Sequence, residues 1–228
     1  MIPQTKGKIF LADERGRHET TWFRSYHTFN FGNYYHVHKQ PFGALYVLNE
    51  DTLGGGRRLT LQVEEDTDIF LLPTVGAVNW QHTAGAPVLT GAGQALCFSA
   101  TSGDTFTVSN PYEDALVNFL QLWIKRPGTP GSDIPEACDF YLDQPKDRLL
   151  PLFDGRLFIG KFNGRAETVH TVAHPGHGIF VFVIEGAFEV QHRLMNARDG
   201  LALWDVREIE LEALSNDAIL LVANVPAL

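Results

Sequence analysis

Thr60, Gln62 and Glu64 stand at every second position of the stretch LTLQVE, and that spacing is the first place where chemistry could gather. In an extended strand alternate side chains share a face. A hydroxyl, an amide and a carboxylate would then line one side, while Leu59, Leu61 and Val63 line the other. Such a row could hold a small polar ligand at the mouth of a barrel. Alternatively the apolar face turns inward, and Gln62 and Glu64 bond each other and the neighbouring backbone. Acid–base work by Glu64 would need a partner, and none adjoins it at that spacing. The carboxylates that follow, Glu65, Asp66 and Asp68, lack the turn glycine and distant bidentate Glu of a calcium loop, so they read as a solvated strand end.

The histidines form two further groups. His36-Val37-His38 has the alternation a metal would use, but it falls in a Tyr- and Lys-containing loop. His170, His174, His177 and His192 lie in the last third of the chain with Glu185 among them. His174 and His177 flank Pro175-Gly176, which makes them turn residues able to take zinc or nickel opportunistically, since imidazole is a general ligand. Of the two cysteines, Cys97 sits in an apolar strand and reads as an inert buried thiol. Cys138 has no Lys, Arg or His beside it to depress its pKa, as a redox sensor would need. Gly54-Gly55-Gly56 is not followed by the Lys-Ser/Thr of a phosphate loop.

The elements that must position these residues are strands. Apolar segments are short, rich in Val, Ile, Leu and Phe, and bounded by Gly, Pro, Asn or Asp. The pattern predicts strands near Leu45–Leu48, Leu59–Val63, Asp68–Leu72, Gln94–Phe98, Thr105–Val108 and Leu116–Ile124. A second set is predicted near Arg156–Phe162, Thr168–Val172, Ile179–Ile184, Phe188–His192, Gly200–Trp204, Glu208–Leu211 and Ile219–Val225. Between the sets, residues 125–150 carry RPGTPGSDIP and read as a linker. Residues 1–124 and 151–228 then each hold enough strands for a barrel. A Gly turn follows an apolar strand in each half, at Gly76-Ala77 and Glu185-Gly186-Ala187, as in distant repeats. The fold class expected is all-β.

The composition narrows the function. In 228 residues, 44% hydrophobic with sixteen Phe, there is ample core. The net charge of −9 offers no positive face for nucleic acid or an anionic membrane surface. No apolar run suggests a signal peptide or a membrane span, and few cysteines suit a cytoplasmic protein with reduced thiols.

Five blocks of the first half carry a resemblance: FLADERG (Phe10–Gly16), SYHTFNFGNY (Ser25–Tyr34), FGALYVLNED (Phe42–Asp51), Gly54–Gly56 and LQLWI (Leu120–Ile124). In this order and spacing they resemble the pirin family. The resemblance implies two cupin domains of jelly-roll type. It also implies that members with a complete site hold one iron in the N-terminal barrel. Some of those open flavonols such as quercetin with oxygen, and others act as nuclear cofactors of transcription.

The family's iron ligands would be a His-x-His pair after the Gly run and a His-x-Glu pair before an Asn-Pro turn. The second pair aligns on Phe106 and Val108, ahead of Asn110-Pro111, and neither can bind metal. The first aligns on Gln62 and Glu64 counting back from Gly76, or on Thr60 and Gln62 counting forward from Gly56. No histidine lies between Asn49 and His82. The expectation is a barrel with no metal and no catalytic residue. It would have a narrowed pocket, apolar beside Phe106 and polar near Gln62, and it would bind a small molecule or regulate. Quercetin 2,3-dioxygenase activity, or a metal-independent reaction using Glu64, is the alternative.

Overall fold

The computed structural model describes residues 5–82, 85–126, 128, 131–132, 134–172 and 176–227. Among them there is no α-helix, and one 3-10 turn spans Ala12–Glu14. Among the described residues no helix is long and apolar enough to cross a membrane. The strands, numbered along the chain, begin with β1 (Gly7–Phe10), β2 (Gly16–Glu19) and β3 (Phe23–His27). Then come β4 (Leu45–Leu53), β5 (Arg58–Gln62), β6 (Thr67–Val75), β7 (Ala77–His82) and β8 (Val88–Gly91). They continue with β9 (Gln94–Ala100), β10 (Thr105–Ser109), β11 (Val117–Lys125) and β12 (Glu136–Asp139). The remainder are β13 (Leu150–Leu152), β14 (Leu157–Phe162), β15 (Glu167–Thr171), β16 (Gly178–Glu185) and β17 (Ala187–Val190). The chain closes with β18 (Arg193–Asn196), β19 (Gly200–Leu203), β20 (Glu208–Ala213) and β21 (Ala218–Val225).

Two compact units result. The first comprises Gly16–Pro41 and Leu45–Phe140, and the second the segment up to Arg15, Phe42–Ala44 and the chain from Tyr141. In the first, a seven-stranded sheet (β12-β9-β6-β11-β4-β3-β2) accompanies a four-stranded one (β5-β10-β7-β8). In the second, a six-stranded sheet (β1-β19-β16-β21-β14-β13) accompanies β15-β20-β17-β18. Adding ten to each strand number turns the first unit's β5-β10-β7-β8 into the second unit's β15-β20-β17-β18. The same shift turns β9-β6-β11-β4-β3 into β19-β16-β21-β14-β13. The halves are structural repeats, and Gly76 and Gly186 close equivalent turns with φ of 75° each, a conformation glycine adopts without a Cβ penalty.

Two boundaries differ from the sequence expectation. Within 125–150, Glu136–Asp139 forms β12 and extends the first unit's sheet by pairing with β9, Cys138 opposite Ala95. At the start of the chain, β1 pairs with β19 of the second unit, Phe10 opposite Gly200. Each unit's long sheet is thus completed beyond its β9 or β19 strand by a segment from outside its main run. The pairing satisfies backbone groups that a sheet edge would leave open.

Among the described residues each unit has an apolar core. The first gathers Val47, Leu71, Val78, Phe98, Phe106 and Trp123 among others, and the second gathers Phe162, Val181, Phe188, Met195, Leu203 and Val222.

Candidate functional site

β10 reads TFTVS, and the alternation sorts cleanly: Phe106 and Val108 are 1% and 0% exposed, between half-buried Thr105, Thr107 and Ser109. β5 pairs antiparallel with it, Phe106 opposite Leu61 and Val108 opposite Leu59. Directly opposed residues share a face, so the inner wall of these two strands is Leu59, Leu61, Phe106 and Val108. Phe106 packs against Phe98 at 5.0 Å and Trp123 at 5.7 Å between ring centroids.

The same parity corrects one sequence expectation. Thr60, Gln62 and Glu64 are exposed on the outer side, where the Thr60 hydroxyl bonds that of Thr107 at 3.2 Å. Val63 is buried and Leu59 and Leu61 half-buried, which decides the register, because turning the polar row inward would expose all three. Gln62 and Glu64 are therefore exposed on the side of the strand away from Phe106 and Val108, and neither is in the lining of the cavity described next. Phe106 and Val108 are buried on the inner side, but they too are absent from the lining of that cavity.

The polar groups lie on the opposite sheet. A cavity of about 420 Å³ opens between β5 and the strands β2–β4, with Ser25, His27, Asp51, Gln121, Leu59 and Leu61 in its lining. Strand pairing sets the polar side in two rows. Asn49 is opposite His27 on one side and Gln121 on the other, and Asp51 is opposite Ser25 and Phe119. Over the cavity lies a tight turn closed by reciprocal backbone bonds between Phe31 and Tyr34, 3.2 and 3.0 Å. Gly32 at φ 55° makes that turn possible. The turn brings Phe31 to 5.2 Å from the His27 ring and Tyr34 to 6.3 Å.

Hydrogen bonds fix most of this wall. Trp123 Nε1 donates to Gln121 Oε1 at 2.7 Å, and Gln121 Nε2 donates to Asp51 Oδ2. The Ser25 hydroxyl is 3.3 Å from His27 Nδ1. Burial pushes the Asp51 carboxyl up to about 7, against smaller opposing effects of Ser25 and Gln121, and the nearby Glu50 charge adds to the rise. Asp51 Oδ1 and both amide atoms of Asn49 are buried without a hydrogen-bond partner among the described residues.

The remaining candidates fall apart as sites. His36 and His38 have ring centroids 5.5 Å apart on an exposed loop. His170 is buried against Phe158 at 4.4 Å, where desolvation lowers its pKa. His174 lies outside the described residues, so the His170/His174/His177 group is not seen whole. His192 is exposed, with Nδ1 3.6 Å from Glu189. Cys97 is buried in β9 and Cys138 is partly exposed on β12. Among the described residues no three His, Cys, Asp or Glu side chains gather as a metal would require.

Of the polar row, only His27 carries a reading from the sequence, where it stands in SYHTFNFGNY outside the family's metal site as a residue that would hydrogen-bond a loop closing the barrel. Ser25, Asn49, Asp51 and Gln121 were missed. Their signal was present, as polar residues at alternate positions inside otherwise apolar strands, such as Asn49 and Asp51 between Val47 and Leu53.

Residues 10–124 match the family model described as Pirin, and residues 153–223 the one described as Quercetinase C-terminal cupin domain. A quercetin 2,3-dioxygenase of Escherichia coli (strain K12) is 27% identical over 220 residues, covering 92% of this chain and 95% of the relative. A pirin-like protein of Caulobacter vibrioides is 26% identical over 226 residues, covering 92% and 96%. Among solved structures, the bacterial pirin YhhW of Escherichia coli in complex with nickel(II) superposes with a TM-score of 0.81 at 26% identity. That match covers 97% of this chain and 100% of the other. The two barrels are cupins, and the chain belongs to the pirin family.

Proposed function

We propose that this pirin-family chain is a binding or regulatory protein that takes a small molecule in its first barrel without a metal centre. The observation that carries the reading is the inner wall of β5 and β10. The iron implied by the family needs imidazole and carboxylate donors aimed inward from these strands. Leu59, Leu61, Phe106 and Val108 have no donor atom to give, so the residues present do not fit iron. Binding is supported by the cavity of about 420 Å³, with its apolar wall facing a small set of buried polar groups.

A second reading, a quercetin 2,3-dioxygenase-type oxidoreductase, draws on the name of the Escherichia coli relative, which aligns over nearly the whole chain. One experiment separates the two. Protein purified without added metal is submitted to elemental analysis, then assayed with quercetin in air with and without iron or nickel. The binding reading expects less than a tenth of an equivalent of transition metal in the first barrel and no turnover above buffer. One equivalent bound within that barrel, or oxygen uptake that depends on it, overturns the reading in favour of the second.

A further inference from the structure

We infer that the first unit holds a second binding site, separate from the cavity described above, that takes a protonated amine with an aromatic body. Asp104 is the charged partner, and Trp80 and Phe98 are the surface on which the body rests. The inference stands apart from the binding reading of the first cavity.

A cavity of about 500 Å³ lies beside β7, β8 and β9, with Trp80, His82, Val88, Phe98, Asp104 and Arg126 in its lining. It shares no lining residue with the cavity of about 420 Å³. Strand register aims these side chains into it. Trp80 is opposite Val108 and His82 opposite Phe106, so both project from the inner face of the small sheet. Asp104 continues that face beyond β10, two residues before Phe106, where its carbonyl accepts from the amide of buried Val63 at 2.9 Å. From the other sheet Phe98 closes on Trp80, with ring centroids 4.4 Å apart. The wall thus passes from hydrocarbon and aromatic rings to an imidazole and a carboxylate. The Asp104 and His82 side chains are 35% and 42% exposed, so a ligand in the cavity can reach them.

Asp104 caps its own turn with one oxygen. The Thr101 amide donates to Oδ2 at 2.7 Å and the Thr101 hydroxyl at 2.8 Å, and His82 Nε2 is 4.0 Å from that same atom. Oδ1 accepts neither of these bonds and is the atom offered to a ligand. The bonds from Thr101 hold the carboxyl below the ordinary carboxylate range, so it is charged at neutral pH. A carboxylate beside two aromatic rings suits an ammonium group, whose charge is attracted to both. An anion is disfavoured there. Arg126 Nε is 3.3 Å from Asp68 Oδ1, so its charge is already met, and the chain as a whole carries −9.

The second barrel serves as an internal control. Matching Gly76 to Gly186 sets Trp80 against Val190, and through the next pairing Asp104 falls against Arg207. The long sheets set Phe98 against Leu203 in the same way. The repeat therefore closes with two aliphatic side chains and a cation where the first unit has two rings and an acid. The architecture itself requires neither the aromatic pair nor the carboxylate.

The test uses the full chain at neutral pH with 2-phenylethylamine as probe and 2-phenylethanol, which lacks the charge, as control, both by calorimetry. The parent should bind the amine about tenfold more tightly than the alcohol, the factor that one hydrogen bond to a charged group supplies. Asp104→Asn removes the charge but keeps an oxygen for the Thr101 bonds, and it should bind the two probes alike. Val88→Trp, which fills the cavity from β8 and leaves the carboxylate in place, should lose both. Equal affinity of the parent for the two probes, or no binding of either, overturns the inference. So does an amine preference that survives in either variant, since the amine would then sit elsewhere.

Discussion

Asp51 has no exposed surface, and its proton is held far more tightly in the fold than in an open chain. Its carboxyl titrates near 7 rather than the ordinary 3.8, chiefly because burial penalises the charge. The direction of the stability effect follows. Below pH 4 both folded and unfolded chains carry the proton, and Asp51 has its full stabilising contribution. Between about 4 and 7 the folded chain binds more protons, so stability falls as pH rises, and above 7 the contribution is gone. A separation of that size is worth about 4 kcal/mol. Surface carboxylates act the other way. Asp104 is held low by its bonds from Thr101, Asp143 by Lys161 and Asp217 by Lys146, so they favour the fold above their pKa values. Comparing the parent with Asp51→Asn cancels these common terms. Denaturant unfolding from pH 4 to 8 should show the parent losing about 4 kcal/mol relative to the variant. A difference that stays flat across that range would mean Asp51 ionises as an exposed carboxylate does.

At the scale of the strand, the facing strands β5 and β10 show what could and could not be read from sequence. For β10 the family blocks flanked it without a gap, so Phe106 and Val108 were placed inside, and they are buried. For β5 the existence of the strand was legible from LTLQV but its parity was not. Counting from either flanking glycine chose the polar row, whereas pairing with β10 and burial of Val63 turn Leu59 and Leu61 inward. β2 and β3 were invisible because RHETTWFRSYH alternates weakly and carries charge at every few residues. That is why Ser25 and His27 lacked a face until the strand register supplied one. Phe106 now fills the space between Phe98 and Trp123, so Phe106→Ala should open a cavity and cost about 3–5 kcal/mol. Urea unfolding followed by tryptophan fluorescence measures it. An unchanged midpoint would show that the ring is not a core plug, and that the apolar wall was not gained for packing.

Over the whole molecule, the offset of ten strands between the two units accounts for more of the order than any single motif. The repeat was legible in its two Gly turns, and the sheet orders extend it to nine pairs of strands. What the sequence concealed is that the units are not consecutive along the chain. The short segments GKIF and EACD have too few residues to announce themselves as strands, and each gains its partner only when a distant edge is presented to it. β1 lies about 190 residues from its partner β19 in sequence, counted from the Phe10–Gly200 pair. Phe10, 1% exposed, packs on Phe180 at 5.8 Å, and the Ala12 amide donates to Asp199 at 2.8 Å. Phe10→Ala should therefore weaken the unit built from the far end of the chain, by about 3–5 kcal/mol. Hydrogen exchange read by mass spectrometry separates the units. Amides of β16, β19 and β21 should exchange faster in the variant, while those of β4, β6 and β11 keep the parent's protection. Loss of protection confined to β4, β6 and β11 would place Phe10 in the first barrel's stability, contrary to its pairing with β19.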